Sequence, residues 1–381
     1  LNRSDISARQ MQSTIAMFLI GSSVISSGTN SAKQDTWITI LIAVVLIIPF
    51  AWVYAEILKL YPGQNFFVNI LRAMGRPVGL AVCALYAVYA LYLGALVLRT
   101  FSEFVHIVNM TETPIISIMV CILAAVVYML SNRLYVLARV SRFLLPFLYF
   151  TIFTTLILSY KNMDVGNLKP ILHTDPPDFL RGILFSFTLP YGELVLCLPM
   201  FGAMNRKAPI FPTMMKGVYE GFLFLFPAVI RNSLVLGYYA SISLFPSYEC
   251  VSIIKIGEFF TRVEVLIGFN LLLAGFFKVG ISLFSSCEGV ARMFGFQDYE
   301  PLVAPLALLL LTMSILAHNN TAEMLAFLKL NPYCVLPFQV FLPILILIVG
   351  KIRKKIELKK KRGGEPAKTG KDSVSPGPQD G

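Results

Sequence analysis

Three ionisable residues sit inside long apolar runs: Glu193 in ILFSFTLPYGELVLCLPMFGAM (183–204), Lys278 in LLLAGFFKVGISLF, and Arg231 in FLFLFPAVIRNSLVLG. A charge at membrane depth costs several kcal/mol unless something answers it, so such residues face protein or water rather than lipid. Glu193 stands out because Leu189, Pro190, Tyr191 and Gly192 precede it directly. Proline removes a backbone donor and glycine weakens a helix further. That combination describes a discontinuous helix whose freed backbone groups and half-helix ends face a cavity, since irregular backbone is not tolerated against lipid. The chemistry on offer is recognition of charged or polar groups. A half-helix N-terminus favours an anion, and a carboxylate favours an amine.

Each charge has two readings. Glu193 either lines a ligand site or accepts the N–H groups freed at the break. Lys278 occupies a place where related transporters bind a sodium ion, or changes protonation in a cycle, or is a fixed counter-ion for Glu193 or another buried acid. Arg231 lies in the outer third of its run and is expected to snorkel to the surface. Tyr86 and Tyr89, on one helical face at i, i+3, either present hydroxyls to the cavity or pack between helices.

Catalysis finds no support. No nucleophile is paired with a base, no phosphate loop is visible, and His106, His173 and His318 are far apart. The six cysteines are scattered singly, without metal or disulfide spacing. No enzyme activity, metal or cofactor is expected. A self-contained ion channel would need a charged ring or filter repeat, and neither occurs.

The elements that must position these residues are membrane helices. The 381 residues are 56% hydrophobic and 14% charged, a composition outside the range of soluble domains. The net charge of +11 does not point to nucleic acid, because eight of the 32 Lys and Arg crowd between Lys351 and Arg362, behind the last apolar run. Windows of about 19 residues give ten spans. They cover 11–28, 37–56, 79–101, 114–130, 143–160, 183–204, 217–240, 263–286, 302–318 and 334–350. Alternate loops then hold 22 cations on one side and eight on the other, so both termini are placed in the cytoplasm.

Ten spans divide into two fives, about 11–160 and 183–350, and the first member of each is interrupted. Span one carries Gly21, Ser22, Ser23, Ser26, Ser27 and Gly28, and span six carries the Leu189–Glu193 break. Paired weak points at corresponding positions point to an inverted repeat with a site between the halves; a small-residue packing face is the other explanation for span one. The expected fold is therefore all-α integral membrane. Its ten transmembrane helices form one domain (1–350), ahead of a basic, then disordered, tail (351–381). Between spans, 57–78 suggest a short interfacial helix, 161–181 an outer loop too polar to span, and 245–262 an amphipathic outer segment or lid.

The residues as a set resemble the B subunit of spore nutrient germinant receptors, the spore-germination permeases of the amino acid, polyamine and organocation transporter superfamily. The resemblance rests on ISARQMQ leading into FLIGSSVIS, AKQDTWITI, LYPGQNFFVNILRAMGRPVG, LVLRTFSEFVHIVNMTETPIISI, NLKPIL and LPYGE, in that order across all but the tail. It implies a LeuT-like fold with discontinuous helices one and six. It also implies a pocket at Gly21, Ser22 and Ser23 and at Leu189, Pro190, Tyr191, Gly192 and Glu193, with walls from spans three and eight. The implied role is sensing a small nutrient, typically an amino acid, in the inner membrane of a bacterial spore, beside a larger A subunit and a lipoprotein C subunit. A proton- or sodium-coupled amino acid permease is the alternative the same fold allows.

Overall fold

The computed structural model describes residues 6–22, 31–253, 264–318 and 321–363. Ser23, Ser26, Ser27 and Gly28 of the first span, residues 254–262 of the outer segment and residues 364–381 of the tail, for which expectations were stated above, lie outside the described residues. The described residues are almost entirely helical.

Helix α1 (Ala8–Ile20) opens with a capping box: Ser7 Oγ accepts from the Gln10 N–H at 3.3 Å and Gln10 Oε1 accepts from the Ser7 N–H at 2.9 Å. It is followed by α2 (Thr36–Leu58), α3 (Phe66–Met74), α4 (Arg76–Val108), α5 (Ile115–Ser131), α6 (Leu134–Leu158) and α7 (Pro176–Ser186). After the break come α8 (Ile210–Leu236), α9 (Pro246–Ser252), α10 (Glu264–Phe294), α11 (Val303–Leu316), α12 (Thr321–Leu336) and α13 (Leu342–Gly363). Among the described residues, seven helical stretches are long and apolar enough to cross a membrane: Lys33–Leu58, Arg76–Val108, Leu134–Leu158, Pro176–Ala203, Ile210–Ser241, Glu264–Phe294 and Ala326–Glu357. Ile115–Ser131 and Glu300–Leu316 are shorter apolar helices. Each of these nine overlaps one of the expected segments, as does α1, and seven of them are long and apolar enough to cross a membrane.

Helix α1 is the hub. From Met11 to Ile20 it exposes almost nothing but part of Gln12, and it is packed by α8, α6, α10 and the Gly192–Ala203 segment. The most extensive pairing in the molecule is α4 against α10. Helix α10, which carries Lys278, also packs directly on α1.

The loops gather into the same two sets that the cation count separated. At one end, residues 63–68, 133–135, 199–203 and 288–300 surround a common cavity, and Lys351 pairs with Glu56 at 3.6 Å. At the other end, the Asp35 carboxylate accepts from the Leu172 N–H (2.9 Å), the Thr174 N–H (3.3 Å) and the Thr174 hydroxyl (2.7 Å). The polar loop 161–175 is thereby pinned to the start of α2.

The short helix expected within 57–78, between the Pro62–Gly63 turn and the Gly75–Arg76–Pro77 stop, is α3, capped by Asn65 and stopped at Gly75, whose φ of +82° suits only glycine. The basic segment from Lys351 on continues α13 as helix to Gly363. One expectation needs amendment. Arg231 does not snorkel; it is fully buried, since α9 folds over it and supplies the Ser247 carbonyl at 3.5 Å, while Thr155 Oγ1 (2.7 Å) and Asn232 Oδ1 (2.9 Å) accept its other N–H groups. Position along the run placed Arg231 near the surface, and the α9 cap put protein where solvent was expected.

Candidate functional site

The break in the sixth element is where its sequence put it. Helix α7 ends at Ser186, a wide π-type turn spans Phe187–Tyr191, and a tighter 3₁₀ stretch runs over Gly192–Ala203. Leu189 has extended backbone (φ −129°, ψ 107°), so helical hydrogen bonding is interrupted one residue before Pro190. Leu189, Pro190, Tyr191, Gly192 and Glu193 are all buried.

Helix α1 ends beside this turn. A Cβ on Gly21 would lie 2.7 Å from the Ala274 carbonyl oxygen and 2.8 Å from Lys278 Cβ, so only glycine lets α1 approach α10 this closely. The next residue completes the site. Ser22 Oγ donates to Glu193 Oε2 at 2.8 Å, and Lys278 Nζ donates to the same oxygen at 2.5 Å and to Ser22 Oγ. Lys278 Nζ also lies 5.3 Å from the centre of the Phe18 ring, a cation–π distance. The ammonium thus donates to two oxygens and lies over an aromatic ring. Among the described residues, Glu193 Oε1 is buried without a hydrogen-bond partner, as is the Tyr191 hydroxyl.

Of the residues singled out from sequence, Gly21, Ser22, Glu193 and Lys278 meet directly. Tyr86 and Tyr89 lie beside this cluster in the arrangement of the second alternative considered for them, packed between helices. Their rings pack between helices, Tyr89 stacked on Phe338 at 4.8 Å and Tyr86 edge-on to Phe66 at 5.4 Å, while the hydroxyls are bonded to the tenth element. Tyr86 donates to the Phe338 carbonyl at 2.9 Å, and Tyr89 accepts from Gln339 Nε2 at 2.9 Å.

Gln339 is the site residue that the sequence reading missed. It lies in a second π-type turn, Pro337–Phe341, between α12 and α13, and is fully buried. Its Nε2 also donates to the Thr188 carbonyl at 3.1 Å, and its own carbonyl accepts from Tyr54 OH at 2.6 Å. The signal was a lone amide two residues after Pro337 in an otherwise apolar span.

A second polar cluster lies at the end holding residues 63–68 and 288–300. There a cavity of about 410 Å³ is lined by Asn65, Arg133, Pro199, Glu288, Arg292 and Glu300, among others. Asn65 Nδ2 donates to Glu288 Oε1 at 2.9 Å and to the Pro199 carbonyl at 3.2 Å, and Arg292 pairs with Glu288 at 2.6 Å. This cluster ties the start of α3 to the far end of the broken element and to α10.

Comparison with known proteins agrees with this architecture. The chain matches the model of the family described as spore germination protein over residues 5–322. Spore germination protein KB of Bacillus subtilis (strain 168) is 29% identical over 375 residues, covering 97% of this chain and 100% of that protein. Spore germination protein YndE of the same organism is 24% identical over 368 residues, covering 93% and 98%. Among solved structures, Mhp1, a nucleobase-cation-symport-1 family transporter in a closed conformation with bromovinylhydantoin bound, superposes with a TM-score of 0.66 at 14% identity, covering 91% of this chain and 80% of that one. MhsT in complex with L-phenylalanine gives 0.58 at 14%, covering 92% and 96%. At such identities the two structures speak for the fold alone, which is that of LeuT-type transporters. With apolar helices throughout and the family match spanning most of its length, this multi-pass membrane protein belongs to the spore germination protein family.

Proposed function

We propose that this chain is the transmembrane subunit of a nutrient germinant receptor. It binds a small polar nutrient, an amino acid by preference, between the end of α1 and the Leu189–Glu193 break. The observation that carries the reading is the Ser22–Glu193–Lys278 cluster, in which a carboxylate at a helix break has one oxygen without a partner among the described residues while the other is held by Ser22 and Lys278. In this reading the ligand carboxylate meets backbone N–H groups at the half-helix end, Glu193 orients an amine directly or through water, and Tyr86 and Tyr89 shape the wall. Lys278 holds in place of an ion the charge that would otherwise have to be supplied from solution.

Binding acts by shifting an equilibrium. The ligand must hold one conformation more tightly than the other, because equal affinity for both shifts nothing. The change is passed to a larger A subunit and a lipoprotein C subunit in the inner membrane of the spore, with both termini on the core side. The relatives' names, which concern spore germination, support this assignment.

A proton- or sodium-coupled amino acid permease is the second reading. It is favoured by the cavity of about 410 Å³ that reaches Pro199 and Gly202 on the broken element and would give a ligand a way out. Purified chain in liposomes, offered labelled amino acids with and without proton and sodium gradients, separates the two. Saturable binding without uptake is expected. Gradient-driven uptake would make the chain a transporter.

A further inference from the structure

Two buried oxygens flank the Gly192–Glu193 step without a hydrogen donor: Glu193 Oε1 and Gln339 Oε1. Gln339 Oε1 lies directly against Gly192, filling the space a Cβ there would need. The amide is not free to turn and exchange its ends, because the Thr188 carbonyl can only accept and so demands the NH₂ group. The tenth element is itself fixed at this point by Tyr54 OH on the Gln339 carbonyl and by Tyr86 OH on the Phe338 carbonyl. Tyr89, which accepts from Gln339, also lies within electrostatic reach of Glu193. A buried acceptor without a donor costs free energy, and among the described residues both of these acceptors belong to the same backbone break, one on Glu193 and one against Gly192. The family match ends at residue 322 and carries nothing about Gln339.

We propose that Gln339 is a ligand-contacting, specificity-determining residue whose Oε1 acts together with Glu193 Oε1. The pair selects a head group bearing two hydrogen-bond donors, such as a primary ammonium or two neighbouring hydroxyls. One hydroxyl has a single hydrogen and satisfies one of the two oxygens; an amino group or a diol satisfies both. The adjacent Tyr191 hydroxyl, also unpartnered, can serve a third contact. This inference rests on the break being the ligand site.

The test measures binding to the purified full-length chain with two probe sets: the common amino acids with their N-methyl and N,N-dimethyl forms, and hexoses with their singly O-methylated forms. The wild type is expected to bind members of one set and to lose about tenfold or more once fewer than two donor hydrogens remain, as in the N,N-dimethyl amino acids or the O-methylated diol, while the N-methyl forms, which keep two, are spared; the loss is the size of one charge-assisted bond. Which set binds tells ammonium from diol. In Gln339→Met, which keeps the volume and removes the oxygen, the parent ligand should bind about tenfold more weakly and most of the methylation penalty should vanish. Gln339→Glu, which returns an oxygen, should restore the penalty, and a residue that merely supported the fold would not do so. If Gln339→Met is not recovered from the membrane, Gln339→Asn withdraws the oxygen by one methylene and is read the same way. Saturable binding with the full methylation penalty retained in Gln339→Met or Gln339→Asn would overturn the role of Gln339 and leave the site at the break intact. Wild-type binding that is indifferent to methylation would overturn the two-donor selection. Absence of saturable binding to any probe would remove both this inference and the ligand reading it stands on.

Discussion

Glu193 and Glu288 are both buried carboxylates with a basic partner, but they are held in different ways. Glu288 pairs with Arg292 one helical turn away on α10, beside a cavity that leaves the arginine side chain 29% exposed. Glu193 pairs with Lys278 across 85 residues of sequence, with side-chain exposures of 1% and 0%. The first pair forms wherever α10 is helical and records little about the rest of the fold. The second exists only when the end of α1, the Leu189–Glu193 turn and α10 meet. A contact of that kind can report conformation, and a contact within one helix cannot.

The comparison predicts unequal penalties. Lys278→Met strands a buried carboxylate and should cost about 3–5 kcal/mol, seen as a large drop in thermal midpoint in detergent. Adding Glu193→Gln to it should recover most of that loss, because the stranded charge disappears. Glu193→Gln alone should weaken or abolish ligand binding while the protein still reaches the membrane; an unchanged dose response would make Glu193 a purely structural carboxylate. Ser22→Ala removes one donor from Glu193 Oε2 and should cost about 1–2 kcal/mol, measured in the same unfolding assay. Glu288→Gln keeps an acceptor for Asn65 and loses a partly solvated ion pair, so its effect should stay below about 1 kcal/mol, with ligand affinity unaltered. If Glu288→Gln destabilised the chain as much as Lys278→Met, the distinction between the two regions would fail.

How much of this was legible beforehand follows from the same distinction. The break was readable because Pro190, Gly192 and Glu193 are contiguous, and local backbone chemistry needs no partner to be recognised. The spans were readable because apolar length is a local property, and even the sorting of loops into two ends followed from where the cations lie. What was not readable is pairing over distance. Lys278 had several potential acids, and nothing in its own span chose Glu193. Asp35 takes its role from loop 161–175 folding back on it, which its own neighbours do not specify. Gln339 gave only a weak signal, since its meaning depends on Tyr54, Tyr89 and Thr188, which come from three other elements. Arg231 was misplaced for the corresponding reason: the α9 cap that buries it belongs to a later part of the chain.

One modest contact joins the two interrupted elements a second time. Ahead of α1, the Ile6 N–H donates to the Ala203 carbonyl at 3.0 Å and the Ile6 carbonyl accepts from the Asn205 N–H at 3.1 Å, a short parallel bridge to Met204. Ser22 and Glu193 join the same two elements at the other end of α1. The result is a closed circuit of two chain segments coupled at both ends. In such a circuit a displacement at the break is carried to Ile6 and Met204 by both segments together. Anything gripping either segment there would feel the load of both.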